Sequence, residues 1–404
     1  MTERSETTAS LLELDDLSVT YRIASGEVPA VRGVSLTLDS GAALGVAGES
    51  GSGKSTLAMA LLRLLPRDAR VGGRILLDGE DVLAMKWGRM RAVRWAEASI
   101  VFQGAQHGLN PVRRIGDQIA EPLLVHGLAR PDAARKRVAE LLDQVGLPAW
   151  RARSYPHELS GGQRQRVMIA MALACSPRLI IADEPTTALD VMVQAQVLSL
   201  IKDLIAEHGI SLIMISHDLS VLADVCDRLA VMYAGRVVEH GPSAEVFHKA
   251  AHPYSRALAA AFPTVGDPVS RMAPKGLGGD PPDPMQLPGG CSFHPRCPVA
   301  LDECSTLDVQ LWPAGAGRAA ACVHVRPAGT SGAGTTAETG TVDIGPDDTP
   351  DTGGGSTSDT PAPSNVDQAA SNDDPTPAND DQTPANDDQD KEDEEDIRAK
   401  KEVS

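Results

Sequence analysis

The sequence predicts an α/β fold in which a largely parallel sheet carries a phosphate-binding loop. A glycine-rich loop stands between an apolar strand and a helical run, and a second apolar strand ends in two carboxylates. The first strand covers Ala43 to Ala47, and the helical run covers Lys54 to Leu65. A strand, a loop and a helix in this order are the arrangement that phosphate binding requires.

The glycine-rich loop reads GESGSGKST and matches the pattern G-x-x-x-x-G-K-[ST]. Its glycines allow backbone N–H groups to close around phosphates, and the helix N-terminus adds the positive end of its dipole. Lys54 is predicted to reach the β- and γ-phosphates of a nucleotide, and Ser55 to hold Mg²⁺. This motif alone also fits kinases and GTPases. The predicted nucleotide-binding residues of the loop are Gly48, Glu49, Ser50, Gly51, Ser52, Gly53, Lys54, Ser55 and Thr56.

The second apolar strand, Leu179 to Asp183, narrows the choice among families of nucleotide-binding proteins. It would place the Asp183 carboxylate beside the phosphate loop, where it can bind Mg²⁺. Glu184 follows directly, and a carboxylate there can act as the general base on the water that attacks the γ-phosphate. The sequence therefore predicts a nucleotide hydrolase whose catalytic base is Glu184.

Residues 159–163 read LSGGQ, and at this motif the chain resembles the ATP-binding cassette (ABC) family. The resemblance extends over about three quarters of the chain. In that family the motif stands at the start of a helix, here expected from Gln163 to Ala174, and contacts the γ-phosphate bound to the opposite subunit. Small residues before a helix leave N–H groups free for an anion. The residues that would contact a partner's ATP are Ser160, Gly161, Gly162 and Gln163.

Four further positions follow from the same resemblance. Gln103 matches the Q-loop glutamine that binds Mg²⁺ or water, and His217 matches the switch histidine that contacts the γ-phosphate. Asp190 matches the D-loop aspartate at the dimer interface, and Tyr21 matches the aromatic residue that stacks on adenine. The implied catalytic residues are Glu184, His217 and Gln103, and the implied magnesium ligands are Ser55, Gln103 and Asp183.

Three segments resemble one branch of the ABC family, the importers of peptides and nickel. They are FQGAQHGLNPVRRIGDQIAEPL from Phe102, HPYSRAL from His252 and LPGGCSFHPRCPVALDEC from Leu287. The branch implies ATP-driven import of di- or oligopeptides, with this chain at the cytoplasmic face of the cell membrane. It also implies two transmembrane permease subunits, a second ATPase subunit and an extracytoplasmic peptide-binding protein. A different second ATPase subunit, giving a heterodimer, is favoured over an identical one.

Two alternatives stay open at this point. The transported solute could be nickel or another small solute, because the binding protein and the permeases select the cargo. The chain could also be a soluble ABC ATPase that acts as a conformational switch without transport. Coiled-coil ATPases are excluded, because no long heptad run lies between Gln103 and Leu159.

A C-terminal extension contains the last of these segments and four of the six cysteines. The chain has no secretory segment, so we expect reducing surroundings, in which such a group indicates metal binding rather than disulfides. The resemblance implies a 4Fe-4S cluster, while Zn²⁺ and free thiols remain alternatives. His294 or His324 could replace one thiolate. The predicted ligands are Cys291, Cys297, Cys304 and Cys322.

The charge of the chain is concentrated in its C-terminal part. From Pro327 onward there are 20 acidic and 4 basic residues, a net −16 within a total of −18. The remaining chain is nearly neutral and offers no strongly basic face, so nucleic acid is not expected as a partner. The acidic segment is rich in Thr, Pro, Asn and Asp and lacks apolar periodicity, which predicts disorder.

The sequence divides into four expected parts. They are a flexible N-terminus (1–10), an ABC ATPase domain (11–262), a cysteine-containing extension (263–326) and a disordered acidic tail (327–404). Within the ATPase domain we expect an antiparallel β patch from Leu12 to Leu38 and a helical subdomain over about 115–174. Residues 229–239 are predicted to form a hairpin that turns at Ala234 and Gly235. The extension is rich in proline and glycine, and we expect it to be irregular.

Overall fold

Two β-sheets and a group of helices position the glycine-rich loop in a computed structural model of the chain. The structure describes residues 10–104, 108–187, 189–261, 277–315 and 317–327. The predicted flexible N-terminus and acidic tail lie outside the described residues, apart from Ser10 and Pro327, as do residues 263–276 of the predicted extension.

The strands are β1 Ser10–Ile23, β2 Gly26–Asp39, β3 Ala43–Ala47, β4 Arg70–Leu77, β5 Glu80–Asp81, β6 Ala98–Val101, β7 Leu179–Asp183, β8 Ser211–Ser216, β9 Arg228–Tyr233, β10 Arg236–Pro242, β11 Trp312–Pro313 and β12 Ala319–Ala320. The helices are α1 Lys54–Leu61, α2 Trp87–Val93, α3 Ile115–Val125, α4 Pro131–Gln144, α5 Gly161–Leu173, α6 Val191–His208, α7 Leu219–Val225, α8 Ser243–His248 and α9 Pro253–Ala261.

The larger sheet has the order β11-β12-β10-β9-β3-β8-β7-β6 among the described residues. Strands β9, β3, β8, β7 and β6 run parallel to one another. Strands β3, β7 and β8 are buried along their whole length, as expected for a parallel sheet that is covered on both faces. Because the strands are parallel, the segments that follow β3, β6, β7 and β8 emerge at the same edge of the sheet.

The smaller sheet is antiparallel and has the order β2-β1-β4-β5. Its first two strands form the antiparallel patch that the sequence predicted between Leu12 and Leu38. Along β1 the side chains of Leu12, Leu14, Leu17 and Val19 are buried. These residues share one apolar core with α1 and with the face of the large sheet that α1 covers. The antiparallel sheet thereby packs over the phosphate-binding unit.

The ends of two predicted helices differ from the structure. Helix α1 ends at Leu61 instead of Leu65, because Arg63 adopts a positive φ of 51° and Pro66 follows soon after. Helix α5 begins at Gly161, two residues before the predicted start, with Ser160 as its N-cap. The signature glycines therefore form the first turn of the helix and not a loop before it.

Helices α3, α4 and α5 form the helical region that the sequence predicted. Helices α3 and α4 both lie within the predicted range of about 115–174. Their buried faces share one apolar cluster that includes Ile119, Leu142 and Val167. Helix α5 connects this region to the large sheet, because it also packs beside β6.

The extension joins the sheet that carries the phosphate loop. Strand β10 forms the predicted hairpin with β9, and its other side pairs with β12, where Glu239 faces Ala320. The sequence predicted the extension to be irregular, and most of it is, but the short strands β11 and β12 continue the large sheet. No helix among the described residues is long and apolar enough to cross a membrane.

Candidate active site

The phosphate loop connects β3 to α1, and its glycines are required by geometry. Gly53, the N-cap of α1, has a φ of +100°, and an added Cβ would lie 2.1 Å from the carbonyl oxygen of Ala30. At Gly48 an added Cβ would lie 2.3 Å from the carbonyl oxygen of Met232. Any larger residue would push the loop away from β2 or β9, so the motif glycines place the loop as well as expose its N–H groups.

Lys54 lies folded under the phosphate loop. Its Nζ donates to the carbonyl oxygens of Gly48 and Glu49 at 2.7 and 2.8 Å, and its side chain is buried. Burial lowers the pKa of Lys54, while the carboxylates of Glu184 and Asp183 oppose that shift. The ammonium group is therefore already oriented by the loop into which a triphosphate would bind.

Asp183 ends β7 beside the start of α1. Burial raises the pKa of this carboxyl, and a hydrogen bond from Ser55 lowers it in part. Its Oδ1 atom is buried and has no hydrogen-bond partner among the described residues. An unpartnered carboxylate oxygen next to a serine hydroxyl has the donor chemistry that Mg²⁺ prefers, so the predicted ligands Asp183 and Ser55 fit the ion.

Glu184 is the point on which the other predicted catalytic residues converge. Its Oε2 accepts from Gln103 Nε2 at 2.7 Å and from Thr187 Oγ1 at 2.8 Å, while His217 Nδ1 lies 3.5 Å from Oε1. Its φ of +45° is unusual for a residue with a side chain, and backbone strain of this kind is common at functional sites. Thr187 was missed by the sequence reasoning, although it lies in the TT pair after the DEP triplet.

A cavity of about 460 Å³ opens over the loop. Tyr21, Gln103 and Glu184 line it together with the loop residues from Glu49 to Thr56. Tyr21 is held there by a 3.2 Å hydrogen bond from its hydroxyl to Thr56 Oγ1. A second group of lining residues comes from the extension, and the sequence reasoning did not place it beside the nucleotide: Pro281, Pro282, Pro284 and Leu287.

The signature residues lie away from this cavity. None of Ser160, Gly161, Gly162 and Gln163 lines it in the described part of the same chain. Ser160 and Gln163 form a capping box at the start of α5, and Gly162 lies so close to Val193 that an added Cβ would be 2.4 Å from Cγ1. Asp190 caps the next helix by accepting from the N–H of Val193. The structure therefore brings the signature and Asp190 together, but not onto the chain's own nucleotide cavity.

The four cysteines of the extension line one small cavity of about 10 Å³ with His294 and His324. Both imidazoles already contact backbone carbonyl oxygens, His294 that of Cys291 and His324 that of Val299. Burial raises the pKa of the Cys322 thiol to about 12, and the other three cysteines add to this shift. The donor set suits a thiophilic metal, but no three His, Cys, Asp or Glu side chains within the described residues are grouped as a metal site.

Sequence comparisons give the family. A model described as "ABC transporter" matches residues 31–187, and one described as "Oligopeptide/dipeptide transporter, C-terminal region" matches residues 238–304. The oligopeptide transport ATP-binding protein OppD of Salmonella typhimurium is 46% identical over 298 residues, which are 73% of this chain and 88% of that protein. This chain belongs to the ABC transporter ATP-binding family. A putative peptide import ATP-binding protein of Brucella abortus is 47% identical over 300 residues, which are 74% of this chain and 90% of the Brucella protein.

Solved structures agree with the fold of this ABC protein. The dimeric ATP-binding cassette MJ0796 bound to ADP and phosphate is 29% identical, has a TM-score of 0.52, and is matched over 98% of its length by 57% of this chain. CbiO1 of Clostridium perfringens is 30% identical with a TM-score of 0.51, covering 59% of this chain and 91% of its own. The predicted ABC fold and ATP hydrolysis are thus confirmed, with ATP and Mg²⁺ as the family's substrate and cofactor, whereas the roles of individual residues stay predictions.

Proposed function

We propose that this chain hydrolyses ATP to power the import of di- or oligopeptides as the peripheral subunit of a multi-subunit ABC transporter. One observation carries the proposal: the model described as "Oligopeptide/dipeptide transporter, C-terminal region" matches residues 238–304, which begin within β10 of the sheet that carries the phosphate loop. The names of the relatives, which include OppD and peptide import ATP-binding proteins, support the same cargo. The proposed location is the cytoplasmic face of the cell membrane.

The proposed chemistry assigns one task to each group around the cavity. Glu184 takes a proton from the attacking water, and its 2.7 Å contact with Gln103 orients the carboxylate. His217, beside Glu184, contacts the γ-phosphate, and Lys54 neutralises the charge of the phosphates. When bound by Ser55, Asp183 and Gln103, Mg²⁺ would supply further charge neutralisation at the β- and γ-phosphates.

The separation of the signature from the chain's own cavity supports a paired assembly. In the proposed pair, Ser160, Gly161, Gly162 and Gln163 complete the ATP site of a second ABC subunit, which in turn completes this one. We favour a different second subunit over an identical one, two transmembrane permeases, and a peptide-binding protein outside the membrane. Hydrolysis would remove the γ-phosphate that bridges the pair and allow it to open.

Purification of the tagged full chain from mildly solubilised membranes tests this assembly. We expect two polytopic permeases and one related ATPase, identified by mass and present in fixed stoichiometry. Recovery of the chain alone or with non-membrane proteins would contradict the importer. Transport of labelled peptides by the purified complex, with nickel as the competing cargo, then tests the substrate.

We also propose that Cys291, Cys297, Cys304 and Cys322 hold a 4Fe-4S cluster, with Zn²⁺ as the alternative. Their arrangement around one cavity supports an all-cysteine ligand set. His294 and His324 remain alternative ligands, because a metal-bound imidazole commonly donates its other N–H to a carbonyl oxygen, as each ring can here. The cavity has about the room of one water molecule, so a 4Fe-4S cluster would require the four thiols to move apart, whereas a single Zn²⁺ would require less movement. Visible absorbance with a matching iron content would establish the cluster, whereas colourless protein with bound zinc would establish the alternative.

A matched pair of variants separates a metal site from ordinary thiols. Cys304→Ser should lose the metal, while Cys175→Ser, which changes a half-buried cysteine outside this group, should retain it. Protein that holds neither iron nor zinc in stoichiometric amount would overturn the proposal.

A further inference from the structure

Arg296 of the extension forms a bidentate ion pair with Glu49 of the phosphate loop. Its Nη1 lies 2.7 Å from Glu49 Oε2 and its Nη2 lies 2.9 Å from Oε1. The Arg296 side chain is only 6% exposed, and that of Glu49 is 21% exposed. A paired guanidinium and carboxylate with this geometry form one of the stronger and more directional contacts in proteins.

The surroundings hold the Arg296 guanidinium in place. It lies 5.9 Å from the ring centroids of both Tyr233 and Phe293, within the range of a cation–π contact. Its Nε donates to the carbonyl oxygen of Gly278 at 2.9 Å. Arg296 directly precedes Cys297, whose thiol lines the cavity shared by the four cysteines. The same turn therefore positions both this thiol and the guanidinium that contacts the phosphate loop.

Glu49 is held through its backbone as well as its carboxylate. Its N–H donates to the hydroxyl of Tyr254 at 2.8 Å, and its carbonyl oxygen accepts from Lys54 Nζ at 2.8 Å. Tyr254 is fully buried against Phe293 and Tyr233. A continuous set of contacts therefore leads from Arg296 through Glu49 to Lys54, the residue predicted to reach the phosphates.

Charge gives this contact a second consequence. Glu49 places a carboxylate in a loop that has to surround a triphosphate, and two negative groups a few ångströms apart repel each other. Arg296 neutralises that carboxylate, while Lys54 Nζ binds the carbonyl oxygen of the same residue. Loss of Arg296 would leave the carboxylate free to oppose phosphate binding.

We propose that Arg296 is a positioning residue for ATP binding, which neutralises Glu49 and fixes the phosphate loop, so that the extension controls the nucleotide affinity of this chain. The position of Pro281, Pro284 and Leu287 along the same cavity supports this role for the extension. The proposal rests on ATP hydrolysis and not on peptide import. If the transported solute is not a peptide, the proposed role of Arg296 in ATP binding would therefore still stand.

Three variants of the full chain test the charge relationship: Arg296→Met, Glu49→Gln and the double variant. Arg296→Met should raise the KM for MgATP about tenfold while kcat changes by less than about threefold, since a charge-assisted contact to the ground-state loop is lost. The double variant should bind MgATP more tightly than Arg296→Met, because it removes the uncompensated carboxylate. A double variant as weak as Arg296→Met, or a single variant with unchanged KM, would overturn the proposal.

A control separates this role from simple docking of the extension. Arg236 also joins the large sheet to the extension through an ion pair with Asp308, and within the described residues its side chain forms no hydrogen bond or ion pair with the phosphate loop. Arg236→Met should leave the KM for MgATP within about twofold of the parent. If it raises the KM as much as Arg296→Met does, the effect belongs to docking and the proposal fails.

The conservative variant Arg296→Lys keeps the proposal testable if Arg296→Met does not fold. Lysine keeps the positive charge but cannot form the bidentate contact. The KM of Arg296→Lys for MgATP should therefore lie between those of the parent and Arg296→Met. Equilibrium binding of a fluorescent ATP analogue to Arg296→Lys gives this answer even if Arg296→Met does not fold. Parent-like affinity in Arg296→Met with an intact thermal transition would contradict the proposal directly.

Discussion

The side-chain amide of Gln103 donates a 2.7 Å hydrogen bond to the carboxylate of Glu184. The two residues follow β6 and β7, neighbouring parallel strands that end at the same edge of the sheet. Gln103 also begins the segment that leads to the helical region with α3 and α4. Gln103 therefore fixes the orientation of the carboxylate that is the proposed catalytic base.

The first prediction concerns Glu184→Gln. The amide keeps an oxygen that can accept from Gln103 or Thr187, so the site should retain its shape and bind MgATP with about the parent's affinity. It cannot accept the proton of the attacking water, and we expect kcat to fall by about 10² to 10⁴. Steady-state release of phosphate and equilibrium nucleotide binding, measured on the same preparation, check both parts.

Glu80→Gln is the control for this substitution, because Glu80 pairs with Arg89 at the surface and lies on the antiparallel sheet. It should hydrolyse ATP at about the parent's rate. Turnover by Glu184→Gln close to that of the parent would show that another group acts as the base.

The arrangement of the parallel strands explains which parts of the site could be predicted from sequence. Gly53, Asp183 and Glu184 lie in short segments between an apolar strand and a helix or turn, so local pattern and spacing locate them. Because β3 and β7 are parallel strands of one sheet with only β8 between them, the segments that follow them emerge close together at the same edge. Arg296 could not be found in this way, since its partner Glu49 is 247 residues away and no periodicity links them.

The same reasoning applies to strand β12. Two residues, Ala319 and Ala320, carry no strand signal in the sequence, and their pairing with β10 depends on how the extension packs. The early start of α5 has a local cause that the sequence does contain. Ser160 and Gln163 have the spacing of a capping box, which makes Ser160 the N-cap and includes both glycines in the helix.

The second prediction concerns Ser160→Arg in the signature. Since Ser160 does not line the chain's own cavity, the variant should bind MgATP with about the parent's affinity. A bulky cation at the start of α5 would block the proposed contact with the partner's γ-phosphate, and ATP hydrolysis by the assembled complex should fall at least about a hundredfold. Nucleotide titration of the chain and phosphate release by the complex separate the two effects.

Ser199→Arg provides the matched control, because Ser199 is exposed on α6. It should leave both binding and hydrolysis unchanged. If Ser160→Arg weakens nucleotide binding by the separated chain, the signature acts within its own subunit and the paired arrangement is wrong.

The third prediction compares Gly53→Ala with Gly51→Ala in the phosphate loop. Both glycines have a positive φ, of 100° and 79°, so alanine is strained at either position by about 1 kcal/mol or more. At Gly53 the added Cβ would meet the backbone oxygen of Ala30 at 2.1 Å, whereas at Gly51 no described atom beyond the adjacent residues lies within 4 Å. Gly53→Ala should therefore displace the loop from β2 and abolish measurable ATP binding.

Gly51→Ala should weaken binding far less, and the difference between the two variants isolates the contact with Ala30. Isothermal titration with MgATP and thermal unfolding of both proteins give the comparison. Equal loss of affinity in the two variants would mean that φ strain alone governs the loop.

The last prediction concerns acid stability and His252. This side chain is 1% exposed, its Nδ1 accepts from the N–H of Tyr254 at 3.0 Å, and burial lowers the pKa of His252 to about 3. The unfolded chain binds a proton on this histidine near pH 6.5, so between that value and about 3 the unfolded state carries the extra proton. The stability that depends on neutral His252 is therefore fully present above about pH 6.5. Below that value the free energy of unfolding should fall by up to ~1.4 kcal/mol per pH unit.

His252→Gln removes the ionisable group while an amide oxygen can still accept from Tyr254. Its free energy of unfolding, measured by urea denaturation, should fall less than that of the parent between about pH 7 and pH 5. His248→Gln makes the same change at an exposed histidine and should keep the parent's slope. Parallel pH profiles for the parent and His252→Gln would show that the buried imidazole is not the group whose protonation destabilises the fold. Because Tyr254 also binds the N–H of Glu49, acid should loosen the phosphate loop and the packing around His252 together.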